Sequence, residues 1–150
     1  MSLVEDIARL SRTRPFDLLP REALQLVAFS AERRKIAAGE SLFEQGDPAD
    51  CGYFILAGSI TMMARGESGE KQRVVGAGAL IGEMAMLVES VRPASARAAE
   101  DSVALRIPRT VMRRVLEEFP RDAARIRAAL AARTRKTAAE LDELRKRAIA

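Results

Sequence analysis

The residue types with most chemical potential lie close together. Gly82-Glu83 is followed, nine residues after Glu83, by Arg92 in the run Arg92-Pro93-Ala94-Ser95. The pair belongs to Leu80-Ile81-Gly82-Glu83-Met84-Ala85-Met86-Leu87, after a glycine-rich turn and before a strand. A glycine lets backbone approach a ligand closely, and a short helix from Glu83 aims unpaired N–H groups and its positive dipole end at an anion. Arg92 adds a fixed charge with bidentate geometry. Together they can cradle a small phosphorylated ligand.

The elements that must hold these groups are legible in the punctuation of the chain. Leu3, Val4, Ile7 and Leu10 have helical spacing that breaks near Pro15, and a second helix follows Pro20 with Leu24, Val27 and Ala28 on one face. From Arg33 short apolar runs alternate with Gly39, Gly46, Gly52, Gly58, Gly66, Gly69, Gly76, Gly78 and Gly82, which predicts a strand-rich barrel or sandwich. Strands are expected at 33–37, 40–44, 52–57, 59–65, 71–75, 79–81, 94–99 and 102–107. Val103, Leu105 and Ile107 alternate with Ala104 and Arg106, the pattern of a half-buried strand. After Pro108 the period turns helical through Val111, Val115, Leu116 and Phe119, and Pro120 opens an alanine-rich helix running almost to the end.

Composition narrows the chemistry. A chain of 150 residues, 48% of them apolar, suits one domain with one core. No apolar run nears the roughly 20 residues of a membrane span, and the N-terminus does not read as a signal peptide, so a cytoplasmic location is expected. Histidine is absent, which removes the commonest general base, metal ligand and pH switch. The single cysteine, Cys51, excludes internal disulfides and opens an apolar strand, the place of a buried structural thiol. Carboxylates such as Glu44/Asp47 and Glu117/Glu118 read as turn and helix-end solvation, and no nucleophile–base set is visible. An enzyme, a metal site and a bound cofactor are therefore not expected.

Each site residue has a plainer reading beside the functional one. Extending the strand at 94–99 back to Arg92 puts the arginine on the face of Ala94, Ala96 and Ala98, where a cation is costly without an anionic partner. It either clamps a phosphate, or pairs with Glu83, or bends to solvent. Glu83 either accepts bonds from sugar hydroxyls or serves only the helix dipole. The glycines Gly76-Ala77-Gly78 to Gly82 imitate a dinucleotide fingerprint, but a Rossmann crossover helix of about 10 residues does not fit before Ser90.

Several segments in order resemble the cyclic-nucleotide-binding domain family, whose members include the catabolite activator protein and protein kinase A regulatory subunits. They are Leu19-Pro20-Arg21-Glu22, the stretch Ala38-Gly39-Glu40-Ser41-Leu42-Phe43-Glu44-Gln45-Gly46-Asp47, Tyr53-Phe54-Ile55-Leu56-Ala57-Gly58, Gly82-Glu83-Met84-Ala85 and Arg92-Pro93-Ala94-Ser95. The resemblance covers Arg33 to about Phe119. It implies a mainly β fold, a jelly-roll-like β-roll (a double-stranded β-helix) at 33–108, flanked by helices at 1–32 and 109–150, with residues 82–95 as a phosphate-binding cassette. Under it Glu83 receives the ribose 2′-hydroxyl and Arg92 the cyclic phosphate, helped by backbone N–H groups near Ala85. Gly82, Met84, Pro93, Ala94 and Ser95 complete the ligand-binding set, and Val74, Leu80 and Ile81 touch the base. Gly39, Gly46 and Gly58 match turn-forming positions of the family.

One departure stands out. The residue after the family's clamp arginine often donates its backbone N–H to the phosphate, and Pro93 has none. A lost bond to a charged group costs about 1.5–3 kcal/mol, roughly tenfold to a hundredfold in affinity. A Thr or Ser there is associated with cGMP preference, so the resemblance favours cAMP.

The chain's basic excess belongs to its end. Residues 1–120 hold 16 basic and 17 acidic side chains, a net −1, whereas residues 121–150 hold 9 and 4, a net +5. Interleaved acids and missing aromatics make this a solvated helix face rather than a nucleic-acid surface. At 1.5 Å per residue, residues 121–149 span about 43 Å, more than a small roll needs. Leu130, Thr137, Leu141, Leu144 and Ala148 approximate a homodimer seam, with Asp142–Lys146 and Glu143–Arg147 as i,i+4 pairs; a lone solvated helix is the other reading. Arg127, Leu130 and Arg133 are candidates to cap a base. The expectation is a stand-alone cAMP sensor acting on an unidentified protein effector through its C-terminal helices. The alternatives are a ligand-free interaction protein with the same fold and a DNA-associated regulator using the basic helix.

Overall fold

A computed structural model describes residues 3–67 and 69–149; the side chains of residue 134 and of residues 136–149 lie outside the described set. Among the described residues ten strands form the centre: β1 (Glu32–Ile36), β2 (Ser41–Phe43), β3 (Pro48–Ala49), β4 (Cys51–Ala57), β5 (Ser59–Gly66), β6 (Gly69–Gly76), β7 (Leu80–Ile81), β8 (Ser90–Val91), β9 (Ser95–Ala98) and β10 (Ser102–Pro108). Helices α1 (Leu3–Leu10) and α2 (Arg21–Ser30) precede them, and α3 (Arg109–Glu118) and α4 (Pro120–Ile149) follow. All strand pairs are antiparallel, in two four-stranded sheets ordered β1-β10-β4-β7 and β2-β9-β5-β6, with β3 and β8 as a separate ribbon. The chain is a β-roll with flanking helices, as its sequence implies.

Strand alternation divides the core in two. Along β4, Cys51, Tyr53 and Ile55 face the roll interior with Ile36, Phe43, Ile60, Ile81, Ala96 and Ala98. Phe54 and Leu56 face the helices, where Leu10, Phe16, Val27, Met112, Val115, Ile126 and Leu130 gather. This corrects the half-buried reading of β10. Leu105 and Ile107 belong to the helix-side core and Ala104 to the interior, so the strand is covered on both faces at Ala104. Its alternation is unbroken; the register shift opposite Val103/Ala104 leaves Leu56 of β4 unpaired.

The helical ends follow local rules. Pro120 stands at the first position of α4, as expected, and α4 buries Ala123, Ile126 and Leu130, a three-then-four spacing that keeps one face inward. The remaining seam positions Thr137, Leu141, Leu144 and Ala148, and both i,i+4 pairs, lie outside the described side chains. Two-residue strands β3 and β8 were not expected; too short to show a period, they exist because Pro48–Ala49 and Ser90–Val91 meet across the roll.

Candidate functional site

Arg92 sits where the strand breaks. β8 ends at Val91 and β9 begins at Ser95, yet alternation survives the gap: Arg92, Ala94, Ala96 and Ala98 are all buried, while Pro93 and Arg97 are exposed. The backbone is pinned by reciprocal contact with the turn after β2, Arg92 N–H donating to the Asp47 carbonyl and Gly46 N–H to the Arg92 carbonyl, both at 2.8 Å. The side chain enters the roll and is only 4% exposed. Its guanidinium carbon lies 4.1 Å from the centre of the Phe43 ring and 5.9 Å from that of Tyr53. Nη2 donates to Cys51 Sγ at 3.3 Å. The arginine therefore neither pairs with Glu83 nor bends to solvent.

Its hydrogen bonding is incomplete. Among the described residues, the buried side-chain polar atoms without a partner are Arg92 Nε, Arg92 Nη1 and Arg109 Nη1. Two of these three belong to one guanidinium, on different edges of it, and Nη2 shares an edge with each; an oxyanion on either edge would meet one free donor. The guanidinium's contacts are a sulfur acceptor and an aromatic face, and among the described residues no carboxylate is paired with it.

Gly82 has a definite reason for its identity. Its φ of +72° lies in the left-handed region, and a Cβ there would strike Arg92 Nη1 and lie 3.3 Å from the Cys51 carbonyl. The missing side chain thus admits the guanidinium. From Gly82 the chain enters a four-residue 3-10 turn, Glu83–Met86, shorter than the helix expected. The Ala85 N–H already donates to the Gly82 carbonyl at 3.2 Å. Ala85 and Met86 are buried and Met84 is exposed.

Glu83 is 6% exposed, and its partner comes from far along the chain. Arg133, on α4, places Nε 3.4 Å from Glu83 Oε1 and Nη2 3.3 Å from the Leu80 carbonyl. Of the three candidates for a capping role, Arg133 is the one tied to the cassette; Leu130 packs in the helix-side core.

The other expected site residues are dispersed. Ser95 turns away from Arg92, its Oγ accepting from the Gln45 N–H at 2.8 Å and lying 3.2 Å from Glu44 Oε2. Val74 is 61% exposed on β6, because Val75, opposite Ile60, is the residue whose parity turns inward. Leu80 faces the helices and Ile81 the roll interior. Sequence reasoning missed Phe43, Tyr53 and Cys51 as the walls around Arg92. Their inward parity on β2 and β4 was readable, but not their convergence on one guanidinium. Burial pushes the Tyr53 phenol above its ordinary value of 10.0 and Cys51 beside it acts in the same direction, while Arg34 and Arg106 pull it back.

Comparison with known proteins identifies the family and the fold. A profile for the Cyclic nucleotide-binding domain matches residues 33–119. The chain is 35% identical over 106 residues to Lysophospholipase nte1 of Aspergillus niger, a match covering 69% of this chain and 7% of the fungal protein. It thus spans only about 7% of the length of that curated relative. Among solved structures, a cyclic nucleotide-binding-like protein from Brucella abortus is 40% identical, with a TM-score of 0.69 over 75% of this chain and 98% of that one. The Thermus thermophilus catabolite activator protein is 31% identical, with a TM-score of 0.70 over 91% of this chain and 62% of the other. A matched segment of 33–119, carrying the roll, Glu83 and Arg92, makes the chain a member of the cyclic nucleotide-binding domain family.

Proposed function

We propose that the roll binds a cyclic nucleotide, cAMP in the first instance, and that binding is relayed through the C-terminal helices to a protein effector in the cytoplasm. The observation that carries this is the buried Arg92 guanidinium with two unpartnered N–H donors, Nε and Nη1. A cyclic phosphate is a singly charged oxyanion that supplies acceptors for the free donor edge and the missing counter-charge. Glu83, buried at the start of the same cassette, is the acceptor for a ribose hydroxyl. Pro93 lacks the hydroxyl associated with cGMP preference, hence the choice of cAMP. The role is regulatory and not catalytic. Because α4 packs on the turn carrying Glu83 and holds it through Arg133, a ligand at Glu83 shifts the balance between two arrangements of the helix.

The test is thermal denaturation and hydrogen exchange with cAMP, cGMP and AMP, on the wild type and Arg92→Ala. The proposal predicts stabilisation by cAMP above the other two, its loss in the variant, and changed protection in α3 and α4. Equal stabilisation by AMP, or none by any nucleotide, overturns the ligand; stabilisation without any change in helix protection overturns the relay.

A second reading is favoured by Arg92 itself. Its stacking on Phe43 and its bond to Cys51 partly satisfy the cation from within, and Pro93 supplies no N–H. On that reading the fold is an interaction module indifferent to nucleotides, and Arg92→Ala leaves partner binding and oligomeric state unchanged.

A further inference from the structure

Glu83 and Arg133 stand 50 residues apart in sequence and meet at the edge of the cassette. Arg133 lies three residues after Leu130 on the inward face of α4, so Leu130, fully buried, fixes where the guanidinium projects. The fork spans two elements at once, Nε toward Glu83 Oε1 in the 3-10 turn and Nη2 toward the Leu80 carbonyl in β7. The bond to Glu83 uses one carboxylate oxygen, whereas an ionised carboxylate accepts at about four lone-pair positions.

We propose, building on the nucleotide reading above, that Arg133 is a positioning residue. It holds the Glu83 carboxylate oriented so that its remaining acceptor positions take a ribose 2′-hydroxyl. Through it the C-terminal helix feels whether that hydroxyl is present. Selectivity for ribose over deoxyribose then depends on α4 being docked, and docking of α4 depends on the sugar.

Calorimetric titration of cAMP and 2′-deoxy-cAMP into the wild type, Arg133→Ala and Arg133→Lys tests this. The wild type should prefer cAMP. Arg133→Ala should weaken cAMP by roughly two- to fivefold, the range of a partly exposed ion pair, and leave 2′-deoxy-cAMP unchanged. Arg133→Lys should restore part of the preference, since it returns the charge without the fork. Hydrogen exchange over residues 126–133 should quicken in nucleotide-free Arg133→Ala, and cAMP should slow it in the wild type more than 2′-deoxy-cAMP does. Equal weakening of both nucleotides, unchanged cAMP affinity in Arg133→Ala, or a wild type blind to the 2′-hydroxyl overturns the positioning role while leaving nucleotide binding intact. A wild type that binds neither nucleotide overturns both.

Discussion

Replacing Arg92 by methionine should make the ligand-free protein more stable while removing its ligand. A buried polar group left without a partner costs about 1–3 kcal/mol. Arg92 carries two such donors, Nε and Nη1, on a side chain that is 4% exposed, for a penalty of about 2–6 kcal/mol. Against this stand the stacking on Phe43, worth about 0.5–2 kcal/mol when desolvated, and one N–H···S contact worth about 1 kcal/mol. Methionine keeps an unbranched chain against Phe43 and Tyr53 with no donors to satisfy, and exchanging buried ions for apolar groups is often stabilising. The balance favours Arg92→Met by about 2 kcal/mol, a rise in Tm of roughly 4–8 °C for a chain of this size. Thermal denaturation followed by circular dichroism, with and without cAMP, reads both effects. The variant should melt higher than the wild type alone and gain nothing from cAMP. A variant melting several degrees lower would refute the reasoning, since Arg92 would then be a satisfied structural residue.

Four further outcomes follow from the same contacts. Gly82→Ala should lose about 1–2 kcal/mol from the left-handed backbone, seen in urea titration. Because the new methyl displaces the Arg92 fork, its cAMP affinity should also fall by about tenfold or more. Pro93→Ser restores a backbone donor beside the clamp on an exposed residue, and should raise cyclic-nucleotide affinity by roughly tenfold with the larger gain for cGMP, measured by calorimetry. Leu130→Ala should cost about 2–5 kcal/mol and speed hydrogen exchange in α4 and in the turn at Glu83, since it opens a cavity where the two pack. Tyr53 is the only tyrosine and there is no tryptophan, so phenolate absorbance reports it alone. Its raised value means the folded state keeps the proton longer than the unfolded chain; the stability it contributes is complete below pH 10.0 and is lost as pH rises through the folded value. Tyr53→Phe should accordingly show a shallower alkaline loss of stability.

The parts of the molecule that sequence revealed are those governed by local periods. Glycine spacing marked the roll, Pro120 marked the start of α4, and parity alone put Arg92 with Ala94, Ala96 and Ala98 even though the strand breaks between Val91 and Ser95. Contacts between distant segments were not visible. Phe43, Cys51 and Arg92 come from three separate strands or turns; Arg92 stood out as a charge, but Phe43 and Cys51 read as ordinary core residues until the roll closed around it. Arg133 was one of three equal candidates because helical spacing fixes its face but not its partner 50 residues away. Gly82 was assigned to ligand approach; that its absent Cβ also makes room for the Arg92 side chain needed the folded roll to be seen. Val74 and Val75 differ only by parity on β6, and their facing depends on register with β5, which is set by the hairpin as a whole.

The most direct test of the account is isothermal calorimetry of cAMP into the wild type and Arg92→Met, with AMP as the control. The account predicts saturable one-to-one binding of cAMP by the wild type, weaker or absent heat with AMP, and none with the folded variant. No heat from cAMP in a folded wild type, or equal binding by Arg92→Met, would contradict the claim that the buried guanidinium is there to receive a cyclic phosphate.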